Sequence, residues 1–250
     1  MQWYEILTES QVEQVHEATL KILEQVGVDF CYPPALEVLS GGGARVNGER
    51  VFFTRQLVED QIKKAPGQFT LYARNPEKNV IIGGDNIAFI PGYGAPFVTD
   101  TDNGRREGTL ADFKNFVKLT GASQYQDICS GMVIEPTDVP QEIRHAEMIY
   151  AALKYSDKPI MGSAMGEKDA RDSVKMASIL FGSERELAEK PRMISILCSL
   201  TPLSYDERML GRSWNMPEPG NHNLSRPWPL PAQRLPSHWQ APWHFKTQKF

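Results

Sequence analysis

Tyr93 stands between two glycines in Phe89-Ile90-Pro91-Gly92-Tyr93-Gly94-Ala95-Pro96-Phe97, the stretch of this chain richest in groups that could meet a ligand. Gly92 and Gly94 let backbone come close to a ligand while presenting one ring, and Phe89 and Phe97 extend an aromatic wall. Such a wall suits a cation, above all a quaternary ammonium, because ring quadrupoles attract a charge that cannot donate a hydrogen bond. Glu135 supplies a counter-charge further along, and Ser163 a hydroxyl in Gly162-Ser163-Ala164-Met165. The same residues also read as a Gly-rich turn whose aromatics fill the mouth of a fold, with Glu135 a solvated loop carboxylate.

Other chemistries have no foothold here. No GxSxG, HExxH or close-set histidine cluster occurs, so neither an activated side-chain nucleophile nor a bound metal is expected. His16 and His145 fall in helical segments and read as helix-surface residues. Gly41-Gly42-Gly43 lacks the Lys-Ser/Thr and the helix of a phosphate loop and reads as a turn. Cys31, Cys129 and Cys198 are far apart and odd in number, which fits buried thiols in a reducing cytoplasm and excludes a CxxC motif.

The elements that must position these residues are legible up to residue 211. Thr8 with Gln11 forms a capping box ahead of a helix that Gly27 stops, and Pro33–Leu39 makes a short second helix. Asn47-Gly48 joins Ala44–Val46 to Val51–Phe53 as a hairpin, and Thr54 caps a helix to Lys64. A second hairpin pairs Phe69–Arg74 with Val80–Ile82. Residues 1–85 are thus a helical unit with small hairpins.

From Ile87 the rhythm becomes strand, loop, helix. Strands are expected at Ile87–Ile90, Ile128–Ile134, Pro159–Met165 and Arg192–Leu200, and helices at Leu110–Leu119 behind the Thr109/Asp112 cap, Pro140–Tyr155, Lys168–Phe181 and from Tyr205. Strand starts at 128, 159 and 192 recur every 31 to 33 residues, one βα unit, and the strands are continuously apolar, which argues for parallel pairing. A doubly wound sheet or a (β/α)8 barrel has this period, and the missing GxGxxG weakens the dinucleotide-binding version. The fold class is α/β, a partial (β/α)8 barrel over residues 86–211 behind the N-terminal unit, with its site at the C-terminal strand ends. Four units are about half of a barrel and leave open parallel edges.

Residues 212–250 have another character, with four of five Trp, seven of 18 Pro, and no Ile, Val, Tyr or Asp. Neither a helix interior nor a central strand can be built from them. Taking the last base of each codon with the first two of the next, Gln233–Phe250 can be reread as Ala-Ala-Pro-Ile-Thr-Leu-Ala-Gly-Thr-Leu, continuing as ordinary α/β sequence. The segment reads as a frameshift product without a native fold, with a Pro-rich linker as the alternative. Without it the chain has net charge −8, an acidic body with no Lys/Arg cluster, which disfavours nucleic acid or an anionic membrane as partner. No apolar run reaches membrane-spanning length and no signal peptide opens the chain.

Phe89–Phe97, Thr109-Leu110-Ala111-Asp112-Phe113, Lys158-Pro159-Ile160-Met161-Gly162 and Thr201-Pro202-Leu203 together resemble the trimethylamine methyltransferase superfamily, and the likeness runs in order from residue 5 to 211. The resemblance implies a (β/α)8 barrel that moves a methyl group from a methylated amine, trimethylamine or a quaternary amine such as glycine betaine, to the Co(I) of a cognate corrinoid protein. It implies one-carbon metabolism in the cytoplasm and a corrinoid carried by the partner, with no cofactor or metal bound directly. A homo-oligomer is compatible with it. The group without pyrrolysine, typified by glycine betaine:corrinoid methyltransferase, is favoured. Two alternatives stand beside this reading: an inactive truncated fragment, and an aldolase or hydrolase barrel whose catalytic residues lie beyond residue 211.

Overall fold

The computed structural model describes residues 6–129, 131–162, 166–195 and 199–214 as a mixed α/β protein with helices and small sheets and, among these residues, no closed barrel. They divide into two compact units, residues 6–67 with 199–210, and 68–195 with 211–214. Ser163, Cys198 and residues 215–250, the greater part of the segment read as frameshifted, lie outside the described residues.

In the first unit, α1 (Glu9–Lys21) opens on the expected capping box, with the Thr8 side chain accepting from Gln11 N and the Gln11 side chain accepting from Thr8 N. The helix loosens into one π turn, Ile22–Val26, before Gly27 ends it at φ +74°; a Cβ there would sit 2.7 Å from the Val51 carbonyl. Four strands follow in the order β10-β1-β3-β2, namely β1 (Val28–Phe30), β2 (Arg45–Asn47), β3 (Arg50–Phe52) and β10 (Ser204–Tyr205), with α2 (Pro33–Gly41) and α3 (Arg55–Ile62) between and after the first three. The hairpin turns at Gly48 as its Asn-Gly signal required, and the Thr54 side chain caps α3 through Leu57 N. Leu20, Leu23, Val28, Phe30, Leu39 and Val51 are buried.

Tyr205 does not begin a helix. It pairs in β10, parallel to β1, and its ring packs 5.4 Å from that of Phe30, while α8 (Glu207–Trp214) starts two residues later. Burying an aromatic against an existing sheet outweighs the helical pattern around it.

The second unit starts with the hairpin β4 (Gln68–Leu71) and β5 (Val80–Gly83). An unanticipated hairpin, β6 (Phe97–Asp100) with β7 (Gly104–Glu107), turns through Asn103-Gly104, a signal the sequence carried. The helices α4 (Leu110–Ala122), α5 (Gln141–Tyr155) and α6 (Glu167–Phe181) stand where periodicity placed them, and α7 (Glu184–Glu189) adds a short turn capped by Ser183. Phe113 and Val117 of α4 meet Ala151 and Ala152 of α5, Cys129, Ile134 and Ile160 in one apolar core of this unit. Burying a side chain the size of Phe113 contributes about 1.5–3 kcal/mol.

The strands expected at Ile87–Ile90 and Ile128–Ile134 are not formed as ladders. The Phe89 carbonyl accepts from both Asp127 N (2.8 Å) and Ile128 N (3.2 Å), and Pro91 has no N–H to carry pairing further. Past Cys129 the chain turns at Gly131, φ +98°, which ends any extended run. What remains is a parallel series: Cys129 bridges Ile160, and β8 (Ile160–Met161) pairs with β9 (Met193–Ile194).

Two polar devices fix α4. At its start, Arg106 donates to both Asp112 oxygens (2.6 and 2.8 Å), while Thr109 N and Oγ1 donate to the same carboxylate at 2.9 and 2.6 Å. These bonds, the Arg106 guanidinium first, hold the Asp112 carboxyl well below the usual carboxylate range. A depressed folded pKa gives stability that is present above the ordinary carboxylate pKa and lost as pH falls through the folded value. We expect Asp112→Asn to lower the melting temperature at neutral pH and to flatten its decline below about pH 4; thermal melts from pH 7 to 2 check this, and parallel parent and variant curves would refute it.

At the other end of α4, the buried ammonium of Lys158 donates to the carbonyls of Thr120 (2.8 Å), Ser123 (2.5 Å) and Gln126 (2.6 Å). Burial pulls this lysine's pKa down, whereas three acceptors at bonding distance favour the charged form.

Candidate functional site

The segment 89–97 lies along 127–135, laced to it by backbone bonds. Gly94 N donates to the Met132 carbonyl (2.6 Å), Glu135 N donates to the Ala95 carbonyl (2.9 Å), and the Asp127 carboxylate accepts from Phe89 N (2.7 Å). Two irregular strips therefore hold each other in place where the sequence predicted a loop after the strand Ile87–Ile90 and a regular strand at Ile128–Ile134.

Tyr93 sits on this bed with its side chain against Gly131. A Cβ on Gly131 would come within 3.0 Å of Tyr93 Cδ2, 3.1 Å of Cε2 and 3.0 Å of the Met161 sulfur. Met161 is fully buried at the end of β8, and Tyr93 keeps 40% exposure. Gly94 takes φ +83°, and a Cβ on either Gly92 or Gly94 would meet nothing within 4 Å.

The other expected site residues are placed differently. Phe89 is 58% exposed, its backbone tied to Asp127. The Phe97 ring is stacked under the Arg105 guanidinium at 3.9 Å, so a cation of the protein itself already covers one face. Glu135 is paired with Arg144 (2.5 Å), whose remaining donors bond the Val139 carbonyl at 3.2 and 3.0 Å. Its negative charge is thereby largely compensated within the chain. Ser163 falls outside the described residues.

Asp127, Gly131, Met161 and Arg144 were not singled out from the sequence. Gly131-Met132 just after the apolar run Ile128-Cys129 was the available signal, since a glycine at such a point marks a turn or a close approach.

Both helical histidines, read as surface residues, are buried. His145 on α5 lies between two carboxylates of α6, with Nε2 2.9 Å from Asp172 and Nδ1 3.3 Å from Asp169; His16 lies 3.9 Å from Glu59. Helix-to-helix packing, invisible to single-helix periodicity, put them inside. Burial pushes the Cys31 thiol up, away from thiolate chemistry. Among the described residues no group of three or more His, Cys, Asp or Glu is placed to hold a metal, and no helix is long and apolar enough to cross a membrane.

Residues 1–229 match the family described as trimethylamine methyltransferase (MTTB). The chain is 55% identical over 208 residues to a glycine betaine methyltransferase of Desulfitobacterium hafniense (strain Y51), covering 83% of this chain and 43% of that protein. It is 29% identical over 206 residues to the trimethylamine methyltransferase MttB of D. hafniense (strain DSM 10664 / DCB-2), covering 78% of this chain and 40% of that one. It is 26% identical over 218 residues to a proline betaine:corrinoid methyltransferase of Eubacterium limosum, covering 84% and 44%. This chain belongs to the trimethylamine methyltransferase family. It spans less than half the length of these relatives.

Proposed function

We propose that the protein this chain represents removes a methyl group from glycine betaine and passes it to a corrinoid carried by a separate protein. The observation that carries this reading is the 55% identity to a glycine betaine methyltransferase, against 29% to the trimethylamine enzyme. The Tyr93 ring, half-exposed and flanked by two open glycines, is the feature of this chain that suits the substrate's quaternary nitrogen.

The corrinoid supplies a low-valent cobalt nucleophile, brought by its own protein. What this chain contributes is to hold the cation, point one methyl outward and exclude water, which needs positioning more than acid–base chemistry. As that methyl leaves, the nitrogen keeps the electron pair of the broken C–N bond and becomes a neutral tertiary amine, so no side chain has to take up or give a proton. In the same reading, residues 86–211 form the first half of a (β/α)8 barrel with the site at its strand ends, residues 1–85 precede it, and residues 212–250 are out of frame.

Two measurements test this. Sequencing the gene through codon 211 should show a frame that, once shifted, continues the family's sequence; the family match reaches residue 229, and an undisturbed frame there would remove the frameshift from the proposal. The frame-restored protein, given its corrinoid protein and glycine betaine, trimethylamine, proline betaine or carnitine separately, should methylate the cobalt from glycine betaine with the highest kcat/KM, read in the cobalt spectrum. A preference for trimethylamine would overturn the substrate assignment.

A further inference from the structure

We propose that Gly131 is a positioning residue for the methylated cation, because it is the seat on which the Tyr93 ring rests. The inference rests on the reading that Tyr93 faces the quaternary nitrogen, and it adds what holds the ring there.

The position is exacting on three counts. Gly131 adopts φ +98°, a backbone conformation that side chains resist. A Cβ there would lie 3.0 and 3.1 Å from two carbons along one edge of the Tyr93 ring and 3.0 Å from the Met161 sulfur. Of those neighbours the thioether is fully buried and pinned in the core with Leu71 and Ile128, while Tyr93 keeps 40% exposure. A methyl at residue 131 therefore displaces the neighbour that has room to move, and that neighbour is the tyrosine.

The backbone on both sides of the contact is fixed. Gly94 N is bonded to the Met132 carbonyl at 2.6 Å, one residue beyond each partner in the chain, so Tyr93 cannot avoid the clash by lifting its own main chain without breaking that bond. The ring must rotate instead. At 3.0 and 3.1 Å the ring has to give by a few tenths of an ångström, and because van der Waals and cation–π attraction to a trimethylammonium group depend on the ring's place, that displacement weakens binding.

Fluorine NMR of the frame-restored protein labelled with 3-fluorotyrosine tests the inference, with the Tyr93 signal assigned by its loss in Tyr93→Phe. In the parent, glycine betaine should shift this signal saturably. Gly131→Ala should move the resting Tyr93 signal while leaving those of the other tyrosines in place, and should weaken the dissociation constant by about tenfold. In the Tyr93→Ala background, adding Gly131→Ala should weaken binding by no more than about twofold, because the ring through which it acts is gone.

A resting signal unmoved by Gly131→Ala overturns the seat itself. A parent signal indifferent to glycine betaine overturns the cation reading and the role built on it. Should Gly131→Ala fail to fold, recovery of the fold in the Tyr93→Ala/Gly131→Ala double variant supports the ring clash, and continued failure shows that Gly131 serves the backbone and Met161 alone, which refutes the proposal.

Discussion

Lys158→Met should cost about 3–5 kcal/mol of folding stability, because three carbonyls lose a charged donor and water makes good only part of the loss. Methionine keeps the apolar stem and the approximate volume, so the change isolates the ammonium. Three carbonyls, those of Thr120, Ser123 and Gln126, lose their shared donor at once. Each orphaned buried acceptor costs about 1–3 kcal/mol unless water reaches it. The cation also sits beyond the C-terminal end of α4, where the helix dipole favours positive charge. A fall of roughly 10 °C in melting temperature follows for a protein of this size. Loss should begin locally, in the turn from Ser123 to Gln126, and that turn leads into Asp127, whose carboxylate holds Phe89 N. Hydrogen exchange in the last turn of α4 should therefore rise more than in α1. A variant within about 1 kcal/mol of the parent would mean that water replaces the ammonium without penalty.

The helices were legible in the sequence because their signals are local. Thr8 with Gln11, Thr54 and Thr109 with Asp112 each satisfy the first free N–H groups of a helix, and all three caps form as read. The Asn47-Gly48 hairpin was legible for the same reason. The strands expected at Ile87–Ile90 and Ile128–Ile134 were not, because a continuous apolar run says that a segment is buried and does not say with what it pairs. Ile87–Ile90 and Ile128–Ile134 are apolar, yet Pro91 and Gly131 interrupt them, and their hydrogen bonds become single ties such as Gly94 N to Met132 O. Among the described residues, the parallel pattern implied by the 31-to-33-residue period appears where Cys129, Ile160 and Met193 come together.

The candidate site was legible as a list of aromatic positions and illegible as an arrangement. Nothing in the sequence says that Arg105 covers Phe97, or that Glu135 spends its charge on Arg144, since both contacts depend on how a hairpin and a helix start are set against the loop. The same holds for His145: periodicity places it on α5, but only the neighbouring α6 supplies Asp169 and Asp172. The reading of Tyr93 relied on two glycines flanking one ring, a purely local pattern that gave no sign of the ring's seat against Gly131.

Tyr93→Ala should therefore give the largest loss of activity among the aromatic positions of this loop. A cation–π contact contributes about 0.5–2 kcal/mol, and misplacing the methyl relative to the line of attack adds to that, for a total fall in kcat/KM on the order of 100-fold with glycine betaine. Tyr93→Phe retains the ring and should lose little. Phe97→Ala should lose less than Tyr93→Ala, because the Phe97 ring already carries the Arg105 guanidinium. The charge dependence can be separated from shape with 3,3-dimethylbutyrate, in which carbon replaces the quaternary nitrogen. As an inhibitor of the frame-restored protein it should bind more weakly than glycine betaine in the parent, and Tyr93→Ala should narrow that difference, since a ring face discriminates a cation from a hydrocarbon of the same outline. If Tyr93→Ala leaves kcat/KM within a factor of two for every methylated amine the parent accepts, the ring plays no part in holding the cation and the assignment of this loop as the substrate site is wrong.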